Sequence, residues 1–202
     1  MAFGPCAELI ANELFLRPDS EAAEKSGAFG FVKFDSPEFP EYDAQVQSAL
    51  ERYKKHRRDW REYGMLNFGD SFGEREVHWT NHEYDFNYGM LIHYLRTGDR
   101  DFYNMARSGA EHSEQIDNSH KNIHFEEDGY WFIHTVGHAN NYYPHEMLPA
   151  SFELIKSHIG HIFVQGMAEM YKVTGIEAYR DAVVKCGHSI ARYYTVKYDF
   201  LT

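Results

Sequence analysis

"FNYGMLIHYLRTG" (86 to 98) and "FVQGMAEMYKVTG" (163 to 175) are two copies of one pattern set 77 residues apart, and their reading decides the fold. The shift pairs Phe86 with Phe163, Gly89 with Gly166, Met90 with Met167, Tyr94 with Tyr171, and Thr97 and Gly98 with Thr174 and Gly175. Each copy ends in glycine just after the last periodic residue, where a left-handed helix cap is required. In the first copy Asp99 follows as an N-cap acceptor for a second helix. The repeated unit is therefore helix, Thr-Gly turn, helix: an antiparallel hairpin.

The two helices of each hairpin differ in how widely they are apolar. After the turn, Phe102, Met105, Ala106, Gly109 and Ala110 keep to one face, as do Tyr179, Ala182, Val183, Cys186 and Ile190 in the second copy. Before the turn, Tyr84, Phe86, Tyr88, Met90, Leu91, Tyr94 and Leu95 point in most directions, as do Ile159, Ile162, Phe163, Val164, Met167 and Tyr171. The first kind reads as outer helices and the second as inner ones. A further one-faced helix is expected over about residues 42 to 62, with Val46, Ala49, Leu50 and Tyr53 on its apolar side. Alternating inner and outer helices are what an all-α, (α/α) toroid of hairpins needs. Two hairpins make such a toroid incomplete, and apolar inner surface left uncovered favours self-association.

Residues 41 to 202 are assigned to this partial toroid. Residues 1 to 40 are expected to form an extended or β-like arm outside it, because "GAFGFVKF" (27 to 34) reads as a strand. Residues 118 to 157 make an excursion far longer than a helix connection normally takes, and loops of that kind usually carry function.

Composition narrows the function classes. A net charge of −11 across 202 residues offers no strongly basic surface to displace phosphate counterions, so no nucleic-acid partner is expected. The apolar runs fall well short of the roughly 18 residues that span a bilayer, and the first residues lack a signal-peptide pattern, so no membrane partner is expected. Cys6 and Cys186 lie too far apart in sequence to suggest a disulfide framework and read as buried thiols. The run "KKHRR" (54 to 58) reads as a solvated helix face.

Seven of the 13 histidines fall between residues 118 and 161: His120, His124, His134, His138, His145, His158 and His161. Tyr130, Trp131, Tyr142 and Tyr143 lie among them. Aromatic faces stack on sugar rings while His, Asn and Tyr hydrogen-bond hydroxyls, so the mixture suits a carbohydrate cleft. Three histidine pairs have spacings compatible with metal ligation, yet no His-Glu-x-x-His pattern occurs and no third ligand can be assigned. No metal or other cofactor is assigned.

"WTNHEYDFNYGMLIHYLRTGD" (79 to 99) crowds hydrogen-bonding and stacking groups at the entrance of the first inner helix, read as starting near Asn81 or His82. The corresponding entrance of the second is His158 to His161. Capping accounts for Asn81, Glu83 and Asp85. It accounts less well for His82, Tyr84, His158 and His161, so both entrances are expected to line one rim of a site.

With "YGMLNFGD" (63 to 70), residues 79 to 120 and "SHIGHIFVQGMAEMYKVTG" (157 to 175), the chain resembles the C-terminal α/α-toroid region of the YetA-like, exo-rhamnogalacturonan lyase family. The matching positions are Asn81, Glu83, Tyr84, Asp85, residues 96 to 99, Asp117, His120, His158 and His161. The resemblance covers about residues 60 to 175 and departs from the family in lacking β-rich domains before the toroid. It implies β-elimination on uronate-containing glycans such as rhamnogalacturonan, a pectin component, by this chain or by a protein of which it is a fragment.

That reaction needs a group to neutralise the carboxylate, a base for the C5 proton and an acid for the leaving oxygen. Asn81 or a protonated histidine suits the first role, His134 or His138 the second, and Tyr84 or Tyr142 the third. Trp79, Asn81, His82, Asp85, Trp131, Tyr143, His158 and His161 are the expected substrate-binding residues, with an acidic oligosaccharide as partner. Two alternatives stay open. One is a toroid glycoside hydrolase with Asp85 or Glu83 as its acid. The other is a non-catalytic glycan-binding or scaffolding fragment.

Overall fold

A computed structural model describes residues 17–30, 38–59, 85–118, 120, 129 and 162–198. Every regular element among these residues is helical: α1 (Ser20–Ser26), α2 (Pro40–Asp59), α3 (Phe86–Thr97), α4 (Arg100–His112), a π-helical turn (Ser113–Asp117), α5 (Gln165–Thr174) and α6 (Glu177–Tyr198).

The repeat read from the sequence appears as two matching hairpins, α3 with α4 and α5 with α6. Gly98 and Gly175 take φ of 70° and 69°, and their amides reach the Tyr94 and Tyr171 carbonyls at 2.7 Å in both copies. The threonine before each glycine donates its hydroxyl to the carbonyl four residues back, Thr97 to His93 and Thr174 to Met170, at 2.7 Å each. That hydroxyl in turn accepts the amide of Asp99 or Ile176, at 3.1 and 3.2 Å. The Thr-Gly pair thus closes the turn twice over in the same way. Only the next cap differs: Asp99 accepts the Asp101 amide at 2.9 Å, whereas Ile176 has no side-chain acceptor to offer.

Helices α3 and α5 pack against each other, α4 packs on α3, and α6 packs on α5. Leu91, Met167 and Met170 are fully buried where the inner helices meet, with Phe102, Ala106, Tyr179 and Ala182 closing the core from the outer pair. Burial of each large side chain contributes about 1.5–3 kcal/mol relative to exposure. Cys186 lies in this core as expected, and burial pushes its thiol pKa up to about 12; Cys6 is outside the described residues.

Helix α2 begins at Pro40, two residues earlier than its apolar pattern suggested, since proline suits the first helical position and Glu41 and Asp43 follow in the first turn. Its stripe of Val46, Leu50 and Tyr53 faces the core as read. The basic run does not stay wholly in solvent. Lys54 donates to Asp101 of α4 at 2.6 Å, and the half-buried Arg57 lies 3.6 Å from the Met105 sulfur.

The expectation of an extended N-terminal arm is corrected where it is described. Asp19 caps α1 by accepting the Ala22 amide at 2.9 Å, Glu21 pairs with Lys25, and Gly27 ends the helix at φ 64°. Residues 27–30 are a turn, not a strand, and 31–34 lie outside the described residues. Nor does the segment stand apart: Ser20 donates to the Leu95 carbonyl at 2.5 Å and Arg17 to the Thr97 carbonyl at 3.2 Å, at the end of α3.

Candidate functional site

Both inner helices start later than their sequences suggested. Asp85 sits at φ 56°, ψ 61°, a left-handed conformation that no helix can run through, so α3 starts at Phe86. Helix α5 starts at Gln165 after Val164. Asp85 is the one expected site residue that falls within the described part of the chain. Trp79, Asn81, His82, Tyr84, Trp131, His134, His138, Tyr142, Tyr143, His158 and His161 all lie outside it.

The geometry of Asp85 is that of a double cap. Its carboxylate accepts the Tyr88 amide of its own helix at 3.1 Å, and both oxygens face the Gly166 amide in α5, at 3.1 and 3.0 Å. Burial pushes its pKa up, with the amides of Gly166, Tyr88 and Gln165 pulling the other way and Glu169 adding to the rise. One carboxylate thereby fastens the starts of α3 and α5. Gly166 is what lets them approach so closely, because a Cβ there would meet Asn87 Cβ, the Tyr88 amide nitrogen and an Asp85 oxygen at no more than 2.5 Å.

Behind this cap lies a buried polar network. Asn87, fully enclosed, donates to the Ser113 hydroxyl at 3.2 Å where α4 gives way to the π-helical turn. Four residues on, Asp117 is 1 % exposed and sits 3.3 Å from Nε2 of the equally buried His112. Burial raises the Asp117 pKa, opposed by the charge of His112 and by hydrogen bonds from His112 and Ser113. Asn118 completes the group by donating to the Ala182 carbonyl of α6 at 3.4 Å. A π-helical turn inserts an extra residue into the helical ladder, and here it carries Ser113 and Asp117 inward together. Asp117, one of the positions carrying the family resemblance, is thus a buried partner of His112. His120, another, is exposed and lies 3.1 Å from a Glu114 carboxylate oxygen.

Further chemistry-bearing groups lie on α3 and α5. His93 is buried between α2 and α4, with Arg96 Nη1 3.3 Å from its Nδ1 and the Tyr42 hydroxyl 3.5 Å from its Nε2. Arginine only donates, so Nδ1 accepts and Nε2 carries the ring proton. Arg96 also grips Asp43 of α2 with two bonds, 2.6 and 3.0 Å, which holds the Asp43 carboxyl below its usual range. On α5, Glu169 is buried beside Lys172, 2.8 Å away.

Sequence reading passed over Asn87, His93, His112, Ser113 and Glu169. Its available signal was a polar residue inside an otherwise apolar helix pattern, as in "FNYGML" and "QGMAEM". Among the described residues no three of His, Cys, Asp and Glu gather closely enough to hold a metal ion. Gly129, within the 118–157 stretch, lies so close to α6 that a Cβ there would strike the Lys185 carbonyl.

Comparison of the chain with protein-family models, with curated proteins and with solved structures found no match.

Proposed function

We propose that the chain is part of an (α/α) toroid that binds an acidic glycan and takes part in β-elimination on its uronate units. The observation that supports this most is the fastening of Asp85 to Gly166, because it holds the starts of α3 and α5 together. The end of α4 and its π-helical turn share that end of the bundle through Asn87 and Ser113. The chain therefore passes from Asp85, Asn118 and Ile162 into the stretches richest in His, Tyr and Trp at a single end. The YetA-like resemblance names the same stretches.

Of the two candidate acids of the hydrolase alternative, the Asp85 carboxylate is committed to backbone amides at the starts of α3 and α5, which disfavours it in that role, and Glu83 lies outside the described residues. In the lyase reading, Asn81 or a protonated histidine neutralises the uronate carboxylate, His134 or His138 takes the C5 proton, and Tyr84 or Tyr142 protonates the leaving oxygen.

Titration calorimetry with uronate and neutral oligosaccharides at pH about 5.5 and about 8, on either side of the unperturbed histidine value, tests the charge argument. Uronate binding should weaken at the higher pH. Loss of binding in the double variant His134→Ala, His158→Ala supports the site, and undiminished binding sinks it. A rise in ultraviolet absorbance from an unsaturated uronate product separates elimination from hydrolysis.

A further inference from the structure

Residues 17–30 lie along the inner helices in a way that their own burial does not require. Helix α1 has no buried residue, and of the segment's half-buried residues, Pro18, Ser20, Ala23 and Phe29, the apolar Ala23 and Phe29 pack against the core. One end is tied to the last carbonyls of α3 by Arg17 and Ser20. At the other end Tyr88 of α3 donates its hydroxyl to the Phe29 carbonyl at 3.2 Å, and Lys172 of α5 donates to the Ala28 carbonyl at 2.7 Å. The Lys172 ammonium also sits 5.9 Å from the centre of the Phe29 ring. Gly27 and Gly30 bracket these two carbonyls at φ 64° and 86°, a backbone region that glycine enters freely.

The geometry points to residues 17–30 as a removable strap, and to Tyr88, Lys172 and Glu169 beneath it as a site for a neutral, hydroxyl-bearing ligand such as a sugar unit. Two neighbouring side-chain donors hold two consecutive carbonyls, and a pair of ligand oxygens replaces them when the strap lifts. Charge selects against an anion here. The Lys172 cation is offset by Glu169 at 2.8 Å, and Asp85 adds a second negative group nearby. The donor and acceptor set also fits hydroxyls better than carbonyls, because a hydroxyl can accept from Tyr88 or Lys172 and donate to Glu169, whereas a carbonyl can only accept. A segment with so little buried surface opens at lower cost than the helices under it. This site takes a neutral unit, so it stands or falls apart from the uronate rim.

Hydrogen exchange read by mass spectrometry on the full chain tests it, with cellotetraose and trigalacturonate as probes. Without ligand, amides of residues 20–30 should exchange at least about tenfold faster than those of α3, and faster again in Ser20→Ala with α3 unchanged. Cellotetraose should raise exchange across 20–30 further and slow it around Tyr88 and Lys172, a response lost in Lys172→Met. Exchange of the strap and α3 at one common rate would overturn the strap. No response to cellotetraose at millimolar concentration would overturn the site, and an equal response to trigalacturonate would overturn its neutral selectivity.

Discussion

The carboxylate of Asp85 reaches from the start of α3 to the Gly166 amide in α5, with its two oxygens at 3.1 and 3.0 Å, while it also caps its own helix through Tyr88. One side chain thus satisfies donors on both inner helices in a largely buried place. Asp85→Ala removes these acceptors and puts alanine at φ 56°, where it is strained. The expected loss is about 2–3 kcal/mol, from a missing cap plus a buried unsatisfied amide. Asp85→Asn tolerates the left-handed backbone and keeps one acceptor, so it should cost less than half as much. Urea denaturation of both variants checks the order, and equal losses would show that the cap is not the cause.

Glycines within helices should respond to alanine in opposite directions according to the space at their Cβ position. Gly166→Ala meets backbone at the Tyr88 nitrogen, which cannot rotate away, and Gly109→Ala meets the Asn87 amide and the Phe86 ring. Each should destabilise by about 3 kcal/mol or more, the upper range for overpacking. Gly89 and Gly187 have open space at the Cβ position, so alanine there should stabilise by about 0.5–1 kcal/mol through helix propensity alone. Thermal melts of the four variants suffice, and a stable Gly166→Ala would refute the close approach of α3 and α5.

How much of this was legible follows from the range over which each signal acts. The Thr-Gly turns were readable because a left-handed cap has few acceptable residues and the same pattern occurs twice. Helix α1 was readable in principle: Asp19, Glu21, Lys25 and Gly27 form a complete set of start and stop signals, overlooked beside the Gly and Phe of the next stretch. The start of α3 was not readable, since Asn81, Glu83 and Asp85 are all acceptable caps and only contact with Gly166 singles out Asp85. The buried group of Asn87, Ser113, His112 and Asp117 depends on a π-helical turn, which composition does not announce. Of the expected site residues, Asp85 alone lies among the described residues, and its long-range partner lies 81 positions away.

Asp117 makes stability depend on pH with a definite sign. Burial raises its folded pKa above the ordinary value of 3.8, so between these two values the folded chain holds a proton that the unfolded chain has lost. Stability contributed by this group is therefore greatest in acid and falls as pH rises through the raised value. Asp117→Asn has no such proton. The stability of the natural chain minus that of Asp117→Asn, from urea midpoints across the acid-to-neutral range, should decrease with pH, and an increase would show that the carboxylate is stabilised as an anion by His112.

His93 gives the opposite dependence in a neighbouring window. Burial first, and then the Arg96 guanidinium, bring its pKa down from 6.5 to about 4, with Asp43 opposing. Between these values the unfolded chain binds a proton at this ring and the folded chain does not, so this contribution to stability is lost as pH falls from 6.5 toward 4. Imidazole nitrogen chemical shifts should show a neutral ring with its proton on Nε2 down to about pH 5, because Arg96 can only donate to Nδ1. Removing that guanidinium in Arg96→Met frees Nδ1 and leaves Asp43 without its opposing charge, so the His93 pKa should climb toward the ordinary value. An unchanged pKa in Arg96→Met would mean that burial alone keeps the ring neutral, and a proton found on Nδ1 would break the link from Asp43 through Arg96 to His93 that joins α2 to α3.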